Sequence, residues 1–270
     1  MATKNRLIIP LRVKNAKLFI DEWLNCYEKL ADGIVAVDNG STDGTYEKLK
    51  NHPKVLAIRQ TEEFDEGRDI KILLELAKEQ KPDWLLTVDA DEIFEKRLTR
   101  DNLEKMMNSR FFSHYKFRRF HLYKDEEHYM ATNEIFYIYY FGFGDRSLYK
   151  FNHKLFVPEK KIHTTIMGRS KFFFQSSYRI KHLPFLHKTY RIKAYEKYMS
   201  VDSNPQTLKL YRRDIDMLSN PENVRVFRFK KSKTGIMVEY YLFNLLTVFN
   251  YFIKTLKNLT RKLHPPSPKS

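Results

Sequence analysis

A chain of 270 residues that is 42% apolar and 15% aromatic carries enough hydrophobic side chains for one large α/β core, which excludes general disorder. Its 49 Lys and Arg against 33 Asp and Glu leave a formal charge of +16, so anionic partners are expected: nucleotide phosphates, acidic lipid surfaces or nucleic acid. The single cysteine, Cys26, excludes a disulfide framework and argues against a thiolate metal site, and only a brief apolar run follows Met1, so a reducing, cytoplasmic compartment is expected.

Leu7 to Val13 reads as a first strand, in which Pro10 removes a ladder donor and predicts a bulge or an early strand end. From Phe19 the apolar residues Ile20, Trp23, Leu24, Tyr27 and Leu30 recur at helical steps before a second strand, Gly33 to Asp38. A short helix is predicted at Tyr46 to Lys50, a third strand at Lys54 to Arg59, a helix through Ile70, Leu73, Leu74 and Ala77 that ends before Pro82, and a fourth strand at Asp83 to Val88. Strand alternating with helix predicts a layered α/β sheet with right-handed crossovers.

After a helix near Asn102 to Met107 the pattern becomes aromatic, basic and strand-like at His114 to Tyr123, Ile135 to Phe141 and Ser147 to Phe151, and helix returns with the Tyr-rich stretch Tyr190 to Tyr198. Plain antiparallel sheet with aromatic cross-strand pairs accounts for these runs without a function; an acceptor-binding half is the alternative. From Tyr241 onwards apolar and polar residues divide into two faces, an amphipathic helix interrupted by Glu239, Asn244 and Asn250 and so no clean membrane span.

Two of the apolar strands end in carboxylates, Asp38 and Asp89, 51 positions apart. A buried parallel strand that stops abruptly at charged residues places them in the crevice where α/β proteins bind ligands. Asp89-Ala90-Asp91 offers two carboxylates just beyond a strand, a setting in which one binds Mn²⁺ or Mg²⁺ and the other meets a ribose hydroxyl or metal-bound water. At the other strand end Asp38 is placed to accept from a base edge, with Asn39 and Asp43 as further nucleotide-facing candidates; a turn with Thr42 or Asp43 capping the next helix is the alternative.

The run Val37-Asp38-Asn39-Gly40-Ser41-Thr42-Asp43-Gly44-Thr45, the helix opening Glu66-Gly67-Arg68-Asp69 and the motif D-W-L-L-T-V-D-A-D-E at 83–92 together resemble the inverting nucleotide-sugar glycosyltransferases of family 2, whose fold is known as GT-A. The likeness covers residues 5 to 95 and looks most like a branch found in surface-polysaccharide synthesis; the family's frequent Asn-Glu after the first strand is here Asn15-Ala16. The resemblance implies a GT-A-like, mostly parallel sheet flanked by helices, an aromatic β-containing second half and a C-terminal amphipathic helix. It implies that Asp38 contacts the nucleobase, Arg68 faces the nucleotide, Asp89 faces the ribose or metal-bound water, and Asp91 ligates Mn²⁺ or Mg²⁺, with Glu92 beside them.

An inverting transfer needs a base for the acceptor hydroxyl. Asp145, after Gly142 and Gly144, is the first candidate and Glu134 the second; for the late histidine ligand that such enzymes often supply, His182 is the first candidate and His163 the second. The expected organisation is a catalytic domain at 1–200, divided into a donor half at 1–110 and an acceptor half at 111–200, a connection at 201–235 and an amphipathic helix with its tail at 236–270. The expected activity is transfer from a nucleotide sugar, UDP-linked as first choice, to a glycan or lipid-linked acceptor, with peripheral contact at a membrane's inner face through the C-terminal helix. No nucleic-acid partner is expected. A nucleotidyltransferase is the alternative within the fold class, although Pro10-Leu11-Arg12-Val13-Lys14 lacks the glycines of its phosphate loop; a basic nucleic-acid-binding protein is the alternative from another class.

Overall fold

The computed structural model describes residues 4–131, 146–168 except 153, and 173–245 except 221, 223, 239, 243 and 244. Its centre is the parallel set β1 (Leu7–Val13), β2 (Gly33–Asp38), β3 (Val55–Gln60) and β4 (Trp84–Leu86), hydrogen-bonded in the order β4-β1-β2-β3. Side chains alternate across this sheet, and both faces are covered. Ile9, Leu11, Ile34 and Ala36 pack with Trp23 and Tyr27 of α1 (Ile20–Tyr27) and with Leu103 and Met107 of α4 (Arg100–Met107). Ile8, Val35, Val37 and Leu85 pack with Leu73, Leu74 and Ala77 of α3 (Glu66–Glu79).

Pro10 causes neither a bulge nor an early end, a correction to the sequence reading: β1 stays in register with β2 throughout, Pro10 opposite Val35. The reason is the side on which its nitrogen lies. Leu7 O accepts from Asp32 on the β2 side, whereas Arg6 O accepts from Trp84 on the β4 side, so the even-numbered residues of β1 bond towards β4. Pro10 therefore withholds its donor from β4, and pairing there reaches only Ile8 with Leu85. The fourth strand is shorter than the predicted span to Val88, and Thr87 N, which lies on the β8 side, donates to Ser147 O at 2.9 Å.

Beyond the parallel set the sheet continues through β8 (Ser147–Lys150), antiparallel to both β4 and β6 (His114–Tyr123), and then through β7 (Asp125–Ala131) and β12 (Arg225–Arg228). β11 (Phe174–His182) lies parallel to β6 and antiparallel to the short β5 (Glu92–Phe94), which brings the carboxyl end of β11 back to the end of β4. Helices α5 (Lys188–Val201) and α6 (Pro205–Ser219) follow, α5 with Tyr195 in the core. α2 (Thr45–Lys50) and a two-stranded β9–β10 hairpin (Leu155–Phe156, Met167–Gly168) complete the elements used below. The predicted strand at Ile135 to Phe141 and most of the C-terminal amphipathic helix lie outside the described residues, among which no helix is long and apolar enough to cross a membrane. The α/β class with helices on a large sheet is as expected.

Candidate active site

Parallel register carries the end of β1 and the end of β2 to one edge, Val13 opposite Asp38. Asp38 is fully buried; its Oδ1 accepts from Ser41 N at 2.8 Å and its Oδ2 has no partner. Asn39, also fully buried, donates from Nδ2 to Thr61 Oγ1 and Glu63 O at 3.0 and 2.7 Å, and its Oδ1 is unpartnered. Two adjacent buried acceptors without donors cost stability and suit a ligand that brings N–H groups. Asp43 does something else: it accepts from Lys17 N at 2.9 Å and from Thr45 N at 3.0 Å, closing the loop in front of α2.

A second cluster forms where β11 returns to β5. His182 is in register with Glu92, and one ligand atom each from Asp91, Glu92 and His182 lies within 4.8 Å of the others. His182 Nε2 is 3.7 Å from Asp91 Oδ2, while Asp91 Oδ1 is buried with no partner. Burial, reinforced by Arg119, Arg191 and Arg146, holds His182 far below the ordinary histidine range and so in the neutral form that ligates metals. Burial likewise raises Asp91 against the pull of Arg191 and Arg119. An orphaned carboxylate oxygen beside a neutral imidazole fits a divalent ion of the Mn²⁺ or Mg²⁺ type.

Glu92 is fully buried and braced rather than free. It pairs with Arg119 at 2.9 Å and with Arg146, accepts from Asp89 N at 3.0 Å, and its carbonyl accepts from Tyr27 OH at 3.0 Å. Asp89, half exposed, turns its carboxylate onto Arg146, a guanidinium whose burial pulls its pKa down to about 10. The structure brings Asp91 and His182 together, with Asp89 alongside. Asp145 and Glu134 lie outside the described residues.

His163 stands on another wall. Its Nε2 bonds Asp202 Oδ2 at 3.0 Å and Tyr211 OH at 2.6 Å, and its backbone N donates to Glu66 at 2.6 Å. The loop that carries it presses on α3 so closely that a Cβ on Gly67 would stand 2.1 Å from Lys160 O. Arg68 sits in the first turn of the same helix: its N donates to the capping Asp65, and its guanidinium to Glu63 O and Asp69. Beside this helix start the arginine that lines the cleft is Arg12, paired with Asp69 at 3.0 Å and Glu66 at 3.5 Å, its second terminal nitrogen unpartnered.

Arg12, Glu66, Asp89, Asp91, His163 and His182 are among the residues that line a cleft of about 770 Å³. Seven Lys and Arg side chains line it (Arg12, Lys14, Arg119, Arg146, Arg191, Lys193, Lys197) against three carboxylates (Glu66, Asp89, Asp91), so its field favours an anionic ligand. Sequence reasoning missed these arginines. Arg191 rests against the rings of Phe185 and Tyr195 at 4.8 and 4.2 Å, and its position one residue after Tyr190 in a basic, Tyr-rich helix was the available signal.

Fold and site thus define an α/β protein with a strand-end cleft whose charged lining is mostly cationic and whose Asp91–His182 pair fits a divalent ion. Residues 11–159, more than half of the chain, match glycosyl transferase family 2, and the chain belongs to that family. Two mycobacterial relatives, the uncharacterized proteins Rv3786c of Mycobacterium tuberculosis and Mb3815c of Mycobacterium bovis, are each 30% identical over 98 residues, covering 33% of this chain and 24% of theirs. The matched stretch therefore spans about a quarter of those relatives' length. Among solved structures, TarS 1–349 of S. aureus in complex with UDP is similar at 15% identity and a TM-score of 0.48, over 78% of this chain and 70% of that one. The mannosyltransferase PcManGT of Pyrobaculum calidifontis, in complex with GDP-Man and Mn²⁺, is similar at 13% identity and a TM-score of 0.41, over 80% and 70%.

Proposed function

We propose that this family 2 chain is a metal-dependent inverting glycosyltransferase that moves a sugar from a nucleotide-sugar donor, UDP-linked as first choice, to a glycan or lipid-linked acceptor in surface polysaccharide or lipopolysaccharide synthesis. The observation that carries the reading is the meeting of Asp91 and His182, backed by the braced Glu92, at a cleft whose charged lining is mostly cationic. In this reading Asp38 and Asn39 receive N–H groups of the base, and Arg119, Arg146 and Arg191 take phosphate oxygens through charge-assisted hydrogen bonds. Asp91 and His182 would hold Mn²⁺ or Mg²⁺, with Asp89 placed for the ribose. When bound, the ion supplies Lewis-acid neutralisation of the charge on the departing diphosphate.

The acceptor oxygen attacks the anomeric carbon as the bond from that carbon to the diphosphate oxygen breaks. Its proton passes to a carboxylate base, for which Asp145 remains the first candidate and Glu134 the second. The donor half is residues 1–110 and the acceptor half 111–200; residues 201–235 connect to the C-terminal helix and tail, 236–270, which meet the cytoplasmic face of a membrane.

A donor screen tests the reading: UDP-, GDP-, dTDP- and CMP-sugars with Mn²⁺, with Mg²⁺ and with chelator, for the native chain and Asp91→Ala. Metal-dependent binding or turnover of one donor, lost in the variant, is the expected result. Failure of every donor under every metal condition would sink it.

A further inference from the structure

The amino ends of β6 and β11 hold an aromatic cluster that has no part in the cleft. Phe111 is 90% exposed, and Phe112, Phe173 and Phe174 are 38%, 38% and 40% exposed. The cluster is ordered by its own contacts: Phe112 and Phe174 pack at 5.0 Å between ring centroids, both touch Tyr115, and the Lys116 ammonium stands 4.5 Å from the Phe173 ring. Contiguous exposed aromatic surface of this kind marks an interaction site.

A second apolar face adjoins it. Tyr240 OH donates to Gln175 O at 3.0 Å, one residue past Phe174, and Arg118 donates to Tyr240 O at 3.2 Å while its guanidinium lies 5.4 Å from the Tyr240 ring. This anchors a helical segment on which Tyr241, Leu242 and Leu245 are 63%, 53% and 68% exposed. Exposed Arg110 and Lys150 flank the phenylalanines, and beyond Leu245 the sequence adds Lys254, Lys257, Arg261 and Lys262 to an apolar pattern in a chain of net charge +16.

We propose that the face made by Phe111, Phe112, Phe173 and Phe174 with the adjoining helical segment docks on the surface of an anionic lipid bilayer. Aromatic rings enter the headgroup boundary, and flanking Lys and Arg lay their stems on apolar surface and present charge to acidic headgroups. The charge complementarity selects a bilayer over a second copy of this cationic chain. β6 and β11 fix the geometry: Phe174 pairs with Tyr115 at one end and His182 with His121 at the other. The six-residue rise of β6 from Tyr115 to His121, against which β11 bulges between Gln175 and Arg179, puts the docking face roughly 20 Å from the cleft. The cleft then works at that distance from the lipid, on the outer end of an anchored glycan; this last consequence rests on the glycosyltransferase reading, whereas the docking does not.

The test is co-sedimentation of the full chain with phosphatidylcholine vesicles and with vesicles that also contain phosphatidylglycerol, for the native protein and for Phe111→Ser/Phe173→Ser. Native binding to the anionic vesicles, weakened by salt and at least ~10-fold weaker in the variant, is the expected result. Absence of native binding, or binding by the variant equal to the native protein's, would overturn the proposal. So would a native dimer in light scattering that the variant loses while neither protein sediments with vesicles. Far-ultraviolet circular dichroism and nucleotide titration on the same samples verify the fold and keep a failed docking face distinct from a failed glycosyltransferase reading.

Discussion

His121 and His182 meet through their Nδ1 atoms, each buried, at in-register positions on the parallel strands β6 and β11. With Nδ1 so engaged, His182 presents Nε2 to Asp91. For Nε2 to offer a lone pair, the proton must sit on Nδ1 of His182 and be accepted by His121, so His121 selects the ligating tautomer. Replacing His121 by Phe is expected to weaken Mn²⁺ binding about 10- to 100-fold, and His121→Asn, which restores an acceptor, to recover much of it. A Mn²⁺ titration checks both; equal losses would reduce His121 to a packing residue.

Glu92→Gln tests the brace under the site. The substitution leaves Arg119 and the buried Arg146 without their shared counter-charge, and breaking a buried ion pair on one side costs about 3–5 kcal/mol. Urea unfolding is expected to show that loss even in the presence of chelator. A change seen only with metal present would make Glu92 a ligand instead.

Asp38→Asn keeps an oxygen for Ser41 N and replaces the unpartnered Oδ2 with a donor. Nucleotide affinity is expected to fall about 10- to 100-fold, the range for a lost hydrogen bond to a charged group, with the thermal midpoint nearly unchanged. Unaltered titration of UDP in the presence of Mn²⁺ would leave Asp38 as a turn brace alone.

Stability has an acid-side pH dependence. His114 stacks on Tyr149 at 4.3 Å with its Nε2 3.1 Å from Ser147 Oγ, and burial, helped by Lys116, lowers its pKa to about 4. Above the unfolded value near 6.5 both states are neutral and the stability is complete. As pH falls from there towards 4 the unfolded chain takes up a proton that the folded chain refuses, so stability declines by at most about 1.4 kcal/mol per pH unit from this group. His121 and His182, also depressed by burial, act in the same direction. Urea midpoints between pH 8 and 4 are expected to fall, and to fall less steeply in His114→Phe.

Much of the fold was legible because its strongest elements are locally consistent. Gly33–Asp38 and His114–Tyr123 are strands over the spans their apolar runs predict, since neither contains a residue that opposes its ladder. β4 was overread because the end of its pairing with β1, at Leu85, has no signature in its own apolar run. Pro10 was misread because a parallel strand points alternate residues to different neighbours, and parity against those neighbours has no local signature.

The sequence by itself determined that carboxylates stand at the ends of buried strands, because an apolar run must stop where it reaches solvent. Asp38, Asp89 and Asp91 followed from that as candidates, whereas a late histidine as a candidate ligand came from the family resemblance. Which histidine joins Asp91 was decided by tertiary structure: β11 pairs with β5 and delivers His182, while the loop against Gly67 holds His163 on another wall. The cationic lining was decided in the same way. β8 inserts between β4 and β6 and sets Arg146 against Glu92, 54 positions away, a contact that exists only through strand order. Local physics places a charge at the end of an element, but its partner depends on which elements the whole sheet makes neighbours.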